Sequence, residues 1–465
     1  MGAPLDGRRS RASPAPGEHG AELADGSRFR ARKAGAQRLE CPRRLLPGAW
    51  SCVISMALPV HRGGNDSTGG ALLTSHPTDS AGWRTRVLSP AALGADDIAA
   101  WNRLRAAHPE YDSPLLSPAF AQVVAQARTD ASVALIEDAD GLAAVFAFHV
   151  RPDGLGRPIG APFCDYSGPI VREGLSLSLS EITAMAGLGG YRTNSLLDPW
   201  NRFESERSGG ASSRLVRMEG LSPADYLEQR RVEYPKRFKN FRRLENQMGR
   251  DGHQLKLTWG PLDALLREKL YGFKSAQFRM SGLVDLIHAP KARALLDIVA
   301  ANPAGFQAGL WAGDELVSAD FGFRDGAAFH PWIAAYNPTM SQYSPGNLLQ
   351  KQVIEQMSAM GLETYDLAEG HDHYKKYFTN SGRTLYSVDI AVPGWRGWAL
   401  SAQAAAWRAL GAGSENSAAG RLKRRTDQAA LSFDKPSDRL ADLWTALRKR
   451  GVSATPGSGH ASEPD

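Results

Sequence analysis

Two stretches of the chain share one pattern: an apolar strand, an acidic turn that contains glycine, and a second apolar strand with alternating phenylalanines. They are residues 132–148 (SVALIEDADGLAAVFAF) and 306–323 (FQAGLWAGDELVSADFGF). Two β-rich runs around such a turn indicate a hairpin. Each hairpin follows a helical region and precedes a segment of strand and loop. The pattern therefore predicts two similar α/β domains joined near residue 215.

A chain of 465 residues is longer than one core usually supports, which agrees with this division. We expect domains at 83–215 and 216–394, the second with the donor site. Residues 1–82 are rich in Gly, Ala, Arg, Ser and Pro and are predicted to be disordered, and 395–465 to form a basic, helical, partly disordered tail. The sequence would also be consistent with translation that starts at Met56.

The cysteines give neither a metal-binding spacing nor a disulfide framework, which favours a reducing cytoplasm. No apolar run reaches the roughly 18 residues that span a bilayer. Lys and Arg exceed Asp and Glu by 55 to 49, and much of the excess lies in the tails and in residues 230–243. The charge is therefore weak support for a nucleic-acid partner.

Local signals place several helix ends. Ser117 and Pro118 form a cap and first residue for a helix over 119–128. The Ser222 capping signature opens a long helix that Pro235 interrupts. We expect a strand at 254–259 and helices at 261–274 and 290–300.

Near the carboxyl terminus, apolar residues repeat at helical spacing from Leu440 to Leu447, before a basic end. This amphipathic helix is consistent with contact to a synthase complex or an anionic membrane surface. The alternative is that the C-terminal helices pack back on the body.

Residues 344–347 (SPGN) open a helix after a turn-rich loop. Unpaired N–H groups and the helix dipole make such a start suitable for a pyrophosphate or another anion.

The segments 316–320, 327–336, 343–349 (YSPGNLL) and 365–378 (YDLAEGHDHYKKYF) resemble the C-terminal domain of a bacterial family related to the Fem peptidyltransferases. That family is described as acetyltransferases of cellulose or exopolysaccharide synthesis, within the GNAT superfamily. Residues 274–278 (KSAQF) and 164–169 (CDYSGP) match further elements of it. The resemblance covers about 95–392, and the chain differs by His371 between Gly370 and Asp372.

The resemblance implies an α/β fold, of the α+β type, with two tandem GNAT-like domains and mixed, mostly antiparallel sheets. It implies acetyl-CoA or another acyl-CoA as co-substrate, and a small-molecule or glycan acceptor. The chain lacks the Gly-x-Gly loop of most GNAT enzymes, so 344–347 would supply the backbone N–H groups. The implied cofactor-binding residues are Ala334, Ala335, Tyr343, Ser344, Pro345, Gly346, Asn347 and Leu348. The implied substrate-binding residues are Lys274, Gln277, Tyr374, Asp165 and Tyr166.

Acyl transfer needs a base, a donor for the carbonyl oxygen and an acid for the departing thiol. The candidate catalytic residues are Asp320, His330, Asp366, Glu369 and Lys375. A histidine in an apolar run such as that of His330 is more often a satisfied strand histidine than a base. Asp320 is equally consistent with a buried polar anchor, and Lys375 with a solvated residue. We expect no metal, because adjacent residues such as His371, Asp372 and His373 rarely ligate one ion.

Two other functions compete with acyl-CoA-dependent transfer. Fem relatives take an aminoacyl group from tRNA, and the basic residues of 230–243 could follow phosphates. However, Tyr234, Phe238 and Phe241 share a helical face, which favours a buried stripe. The other alternative is a non-catalytic GNAT-like module that recruits polysaccharide-synthesis machinery.

Overall fold

The computed structural model describes residues 82–281, 283–369, 375–412, 417–433 and 435–450, with the backbone alone from 445. These residues all belong to one compact unit, Ala71–Asp465. The disorder predicted for 1–82 concerns residues that lie outside this range, apart from Gly82. The domain limits predicted from the sequence stay predictions.

Thirteen strands of the described part form one sheet. In chain order they are β1 (Arg84–Leu88), β2 (Ala131–Asp138), β3 (Gly141–Val150), β4 (Leu155–Pro158), β5 (Ile170–Val171), β6 (Gly190–Leu196), β7 (Ser208–Arg217), β8 (Leu255–Gly260), β9 (Gly305–Ala312), β10 (Glu315–Asp325), β11 (Ala328–Tyr336), β12 (Thr364–Glu369) and β13 (Thr384–Ala391). Their order is β1-β2-β3-β4-β6-β13-β7-β12-β11-β10-β9-β8, and β5 pairs with β3.

Twelve helices accompany the sheet in the described part. They are α1 (Ala95–Ala106), α2 (Pro118–Ala127), α3 (Leu179–Met185), α4 (Pro223–Glu233), α5 (Pro235–Arg250), α6 (Ala264–Met280), α7 (Pro290–Ala301), α8 (Pro345–Glu355), α9 (Met357–Met360), α10 (Trp395–Ala409), α11 (Ala418–Ser432) and α12 (Pro436–Arg450). None of the described helices is both long enough and apolar enough to cross a membrane.

The two hairpins found in the sequence are β2–β3 and β9–β10, and each begins the same succession of elements. A third antiparallel strand follows, then a helix, then a strand that pairs in parallel with the third: β4 with β6 around α3, and β11 with β12 around α8. The other ladders are antiparallel. The predicted mixed, mostly antiparallel α/β fold is confirmed.

The last strand of each half lies beside the other half. Strand β7 pairs with β12, whereas β13 lies between β6 and β7. The hydrophobic core also joins the two halves. Phe120 of α2 packs on Phe323 of β10 and Trp332 of β11, with ring centroids 5.3 and 5.6 Å apart. The two halves therefore share strands and side-chain packing.

The predicted helix starts agree with the structure where a capping side chain fixes them. Ser117 Oγ accepts from Phe120 N at 3.0 Å, and Ser222 Oγ accepts from Asp225 N at 3.1 Å. Pro235 separates α4 from α5, as expected. Helix α6 was predicted to start at 261, but it begins at Ala264 because Asp263 Oδ1 caps Leu266 N at 2.8 Å.

Candidate functional site

Strands β11 and β12 separate soon after they meet. Their parallel ladder joins Ala328 to Thr364 and Phe329 to Tyr365, after which β11 pairs only with β10 in the described part of the chain. The edge of β11 from His330 to Tyr336 therefore faces a gap between the strands. At this edge Lys274 Nζ of α6 donates to Ala334 O at 3.1 Å, and Ala334 is exposed.

Helix α8 follows β11 in the chain, after a loop that leaves the end of that strand. Ser344 adopts the left-handed conformation, with φ 52°, and its side chain does not cap the helix. A Cβ added at Gly346 would meet nothing within 4 Å, and Asn347 Oδ1 is buried without a hydrogen-bond partner in the described residues. Pro345 has no N–H, and Asn347 N and Leu348 N donate to Ser344 O, so the Gly346 N–H is the donor that this open first turn leaves for the anionic end of an acyl-CoA.

Three other residues that the resemblance implies at this loop, Tyr343, Pro345 and Leu348, are buried in the protein. Tyr343 is buried and donates from its hydroxyl to Asp251 Oδ2 at 2.6 Å. Pro345 and Leu348 are buried residues of α8. Their side chains fix the loop, which leaves Ser344, Gly346 and Asn347 to meet a ligand.

Asp320 lies on β10 opposite Ala334 and is 6% exposed. The hydroxyl of Tyr365 donates to its carboxylate. Burial raises the pKa of Asp320 to about 6, against the opposing effects of the Tyr365 hydrogen bond and the charges of Lys375 and Lys274. Asp320 is thus ionised at neutral pH with a pKa suited to accepting a proton.

Lys375 is held by the end of β12. Its ammonium donates to Leu367 O at 2.8 Å and to Glu369 O at 3.2 Å. The backbone between these carbonyls is irregular: Ala368 has φ 58°, and the β12–β7 register shifts between Asp366 and Glu369. This bulge directs both carbonyls to Lys375.

His330 is fully buried between two carboxylates. Its Nε2 lies 2.8 Å from Asp165 Oδ2 and its Nδ1 lies 3.4 Å from Asp366 Oδ2. Burial lowers the pKa of His330, but the charges of Asp366 and Asp165 and their hydrogen bonds outweigh this and raise it to about 9. The imidazole is a cation at neutral pH and positions Asp165.

Asp366 is the buried anion of a network. It accepts from Tyr166 Oη at 2.7 Å and from Ala368 N at 2.9 Å, and Arg383 Nη1 donates to its other oxygen. Burial works against ionisation, but His330 and Arg383 hold the pKa of Asp366 well below its usual range. Arg383 also contacts Asp112. Both carboxylate oxygens of Asp366 accept hydrogen bonds, so Asp366 anchors the cluster and is not available as a base.

The two acid–base groups lie on opposite faces of the sheet. Tyr365 and Asp366 are consecutive in β12, so their side chains point to opposite sides. Tyr365 contacts Asp320, whereas Asp366 contacts His330. Strands β10 and β11, which carry Asp320 and His330, lie on the same side of the gap between β11 and β12.

A cavity of about 570 Å³ adjoins the His330 face. Asp165, Glu369 and Phe278 line one part of it, and α11 contributes Gly420, Lys423, Arg424, Asp427, Gln428 and Leu431. Asp165 contacts His330, and the Glu369 carbonyl contacts Lys375. A molecule in this cavity would therefore lie next to the gap between the strands.

The structure brings together most of the residues implied by the resemblance. Asp165, Tyr166, His330 and Asp366 form one cluster, and Lys274, Asp320, Ala334 and Lys375 surround the gap. Gln277 is exposed on α6, and Ala335 is half-buried and accepts from Ser318 Oγ at 3.2 Å. Tyr374 lies outside the described residues.

Sequence reasoning missed Arg383, Asp112, Arg157 and Arg192. Arg383 and Asp112 are far apart in the chain and meet only through the sheet. Arg157 and Arg192 sit on short strands without a periodic signal, and both line the cavity. For Arg157 and Arg192 the available signal was a charged residue between buried strand residues, whereas Asp112 ends a short 3-10 helix and carries no such signal.

Other chemistry is less well supported in the described residues. Cys164 Sγ lies 2.7 Å from Tyr166 O, and burial raises the pKa of this thiol, which disfavours a thiolate nucleophile. No group of three or more His, Cys, Asp or Glu side chains is placed to hold a metal in the described ranges.

Residues 235–376 match the family model of the acetyltransferase (GNAT) domain. This region contains Asp320, His330, Asp366 and Lys375 together with the gap between β11 and β12. The matched domain makes the protein an acyltransferase of the GNAT superfamily, a class whose fold generally uses acyl-CoA as co-substrate. No curated protein matches the sequence.

Several solved structures are similar to the chain at low identity. A tandem GNAT protein from the clavulanic acid biosynthesis pathway has 8% identity and a TM-score of 0.39, over 66% of this chain and 98% of that one. A GCN5-related N-acetyltransferase from Sphaerobacter thermophilus has 12% identity and a TM-score of 0.35, over 68% and 98%. At these TM-scores we draw no conclusion from the likeness.

Proposed function

We propose that the protein transfers an acyl group from acyl-CoA to an amine or hydroxyl of an acceptor held in the cavity next to α11. The observation that carries the proposal is the continuity of the site. Asp165 and Glu369 line the cavity and also contact His330 and Lys375, which lie beside the gap between β11 and β12. A donor in the gap and an acceptor in the cavity would meet there.

The donor side fits an acyl-CoA in two places. The open edge of β11 offers backbone groups to an extended chain, and the Gly346 N–H at the uncapped start of α8 is open to a phosphate, since Asn347 N and Leu348 N donate to Ser344 O. Acyl-CoA supplies a thioester: the acceptor nitrogen or oxygen bonds to its carbonyl carbon, the C–S bond breaks, and coenzyme A leaves as a thiol.

The protein residues supply proton transfer and positioning. Asp320 lies on the face of the sheet opposite the cavity, so it would accept the proton of the attacking group through the gap between β11 and β12. Its pKa of about 6 leaves it ionised and close to matched with neutral conditions. The ammonium groups of Lys274 and Lys375 favour the ionised carboxylate. His330 is a positioning residue that holds Asp165 at the cavity wall.

The acceptor class follows from the resemblance rather than from the geometry. The YSPGNLL and YDLAEG segments are similar to those of the Fem-related acetyltransferases, which supports a glycan or another polyhydroxylated acceptor of polysaccharide synthesis. Trp395 and Trp398, which are 75% and 81% exposed on α10, support a peripheral contact of the C-terminal helices with a synthase or membrane surface.

Transfer from aminoacyl-tRNA receives less support. Phe241 is buried and stacks on Phe378 with centroids 5.1 Å apart, and Phe238 packs on Phe241. The aromatic residues of α5 are thus core residues rather than a platform for bases.

Isothermal titration of the full chain with acetyl-CoA and longer acyl-CoAs tests the proposal. Gly346→Asp should weaken binding about tenfold or more, since a carboxylate would face the donor phosphates, yet it should not lower the melting temperature, since an acidic first turn favours a helix. Ser358→Asp adds the same charge at an exposed site on α9 and should bind normally. Absence of wild-type binding up to millimolar acyl-CoA would overturn the proposal.

A further inference from the structure

The cavity beside α11 is lined by side chains of both charges. Asp165 and Glu369 line it and contact residues of the proposed transfer site. Four cations, Arg157, Arg192, Lys423 and Arg424, line it together with Asp389 and Asp427. Among the described residues, Arg192 forms ion pairs with Asp389 and Asp427, at 3.0 and 3.9 Å, and not with Asp165 or Glu369.

Arg157 of β4 is the unusual member of this set. Its side chain makes no hydrogen bond, and no ion pair within 4.0 Å, with any residue that the structure describes, and its Nε is buried without a partner. Arg192 Nε is also buried without a partner. Burial lowers the pKa of Arg157, against the attraction of Asp427 and together with repulsion from Arg192 and Arg151.

The neighbouring carboxylate does not satisfy Arg157. Asp427 of α11 lies 3.6 Å from Arg151 and 3.9 Å from Arg192, so its charge is shared between two other arginines. Arg157 is half-buried, and its Nε is removed from water without a partner, which disfavours the folded chain. Its position at a cavity wall is the arrangement expected when a ligand supplies the missing anion.

We propose that Arg157, assisted by Arg192, binds an anionic group of the acceptor, a carboxylate or a phosphate, while the acceptor's amine or hydroxyl lies at the Asp165 and Glu369 part of the cavity. The inference rests on the proposed acyl transfer and specifies its substrate class. Arg157 is then a specificity-determining residue: a planar guanidinium can pair with two oxygens of either anion.

Three probes that share a 2-amino sugar ring test this inference: glucosamine, which has no anionic group, glucosamine 6-phosphate and the carboxylate muramic acid. Their binding to the full chain is measured by ligand-observed NMR or calorimetry without a donor. We expect at least one anionic probe to bind about tenfold or more tightly than glucosamine. The better of the two identifies phosphate or carboxylate as the anion.

The preference should depend on Arg157. Arg157→Gln should remove it, Arg157→Lys should retain part of it, and Arg242→Gln, at an exposed position on α5, should leave it unchanged. Equal binding of the three probes, no binding of any probe at 10 mM, or a preference that survives in a folded Arg157→Gln protein would overturn the inference.

Acetyl-CoA titration separates this result from the proposed function. Arg157→Gln should bind acetyl-CoA as the wild type does. If acetyl-CoA fails to bind while the anion preference is present, acyl transfer is wrong and the anion site remains. If acetyl-CoA binds and the preference is absent, the anion site is wrong.

Discussion

Asp320 lowers the stability of the folded state at neutral pH and is also the proposed base. Its pKa rises from 3.8 unfolded to about 6 folded, so the folded state is at a disadvantage once both states are ionised. The associated stability is fully present below about pH 4 and is lost as the pH rises through 6. At pH 7 the ionised, buried carboxylate therefore weakens the fold.

Asp320→Asn should accordingly raise the free energy of unfolding at pH 7, by up to about 3 kcal/mol, while it lowers kcat/KM by about 100-fold or more. Thermal unfolding and a thiol-release assay measure the two effects. Asp314→Asn, in the exposed β9–β10 turn, should change neither. A variant that loses both stability and activity would indicate a purely structural carboxylate.

The pH dependence of kcat/KM should have two limbs. Activity rises as Asp320 ionises, near pH 6, and falls as His330 loses its charge, near pH 9. The stability due to the charged His330 is fully present below about pH 6.5 and is lost through pH 9, so the alkaline limb should coincide with falling stability. A rate profile that lacks the Asp320 limb would exclude Asp320 as the base.

At the scale of elements, the bulge of β12 joins backbone conformation to the site. A left-handed alanine costs about 1–2 kcal/mol, and glycine adopts that conformation freely but loses more chain entropy. We expect Ala368→Gly to change the free energy of unfolding by +1 kcal/mol or less and Ala368→Val to lower it by more than 1 kcal/mol, measured in denaturant. Ala391→Gly, in regular β13, should be destabilising.

Activity provides the second measurement at this bulge. Ala368→Val should also reduce the rate, because Leu367 O and Glu369 O would no longer both face Lys375. If valine is tolerated without loss of stability or rate, the bulge has no part in holding the lysine.

Local chemistry explains which elements the sequence could predict. Ser117 and Ser222 fix helix starts through hydrogen bonds within four residues, and Pro235 interrupts a helix because it has no N–H. Alternating apolar residues define the hairpins. The Arg383–Asp366–Asp112 network and the position of β13 depend on contacts between residues far apart in the chain. No local pattern encodes them. Asp165, Tyr166 and His330 were identified through the family resemblance, not through periodicity.

At the scale of the molecule, the exchange of β7 and β13 should make the halves fold together. A fragment of residues 83–219 would lack β13 beside β6 and β12 beside β7. We expect it to show no cooperative unfolding transition, while the full chain shows one main transition for the sheet, as measured by calorimetry. A fragment that folds alone would support independent domains with the limits expected from the sequence.

The position of β13 also determines how long β6 and β7 remain unpaired on one edge during synthesis of the chain. Strands β6 and β7 are complete at Arg217, but the strand that lies between them ends at Ala391, about 170 residues later. At ordinary translation rates this interval lasts roughly 10–35 s. During it the growing chain carries two open strand edges, and such edges can pair with other nascent chains. Production of the intact enzyme should therefore depend on chaperone supply and translation speed more than its final stability would suggest.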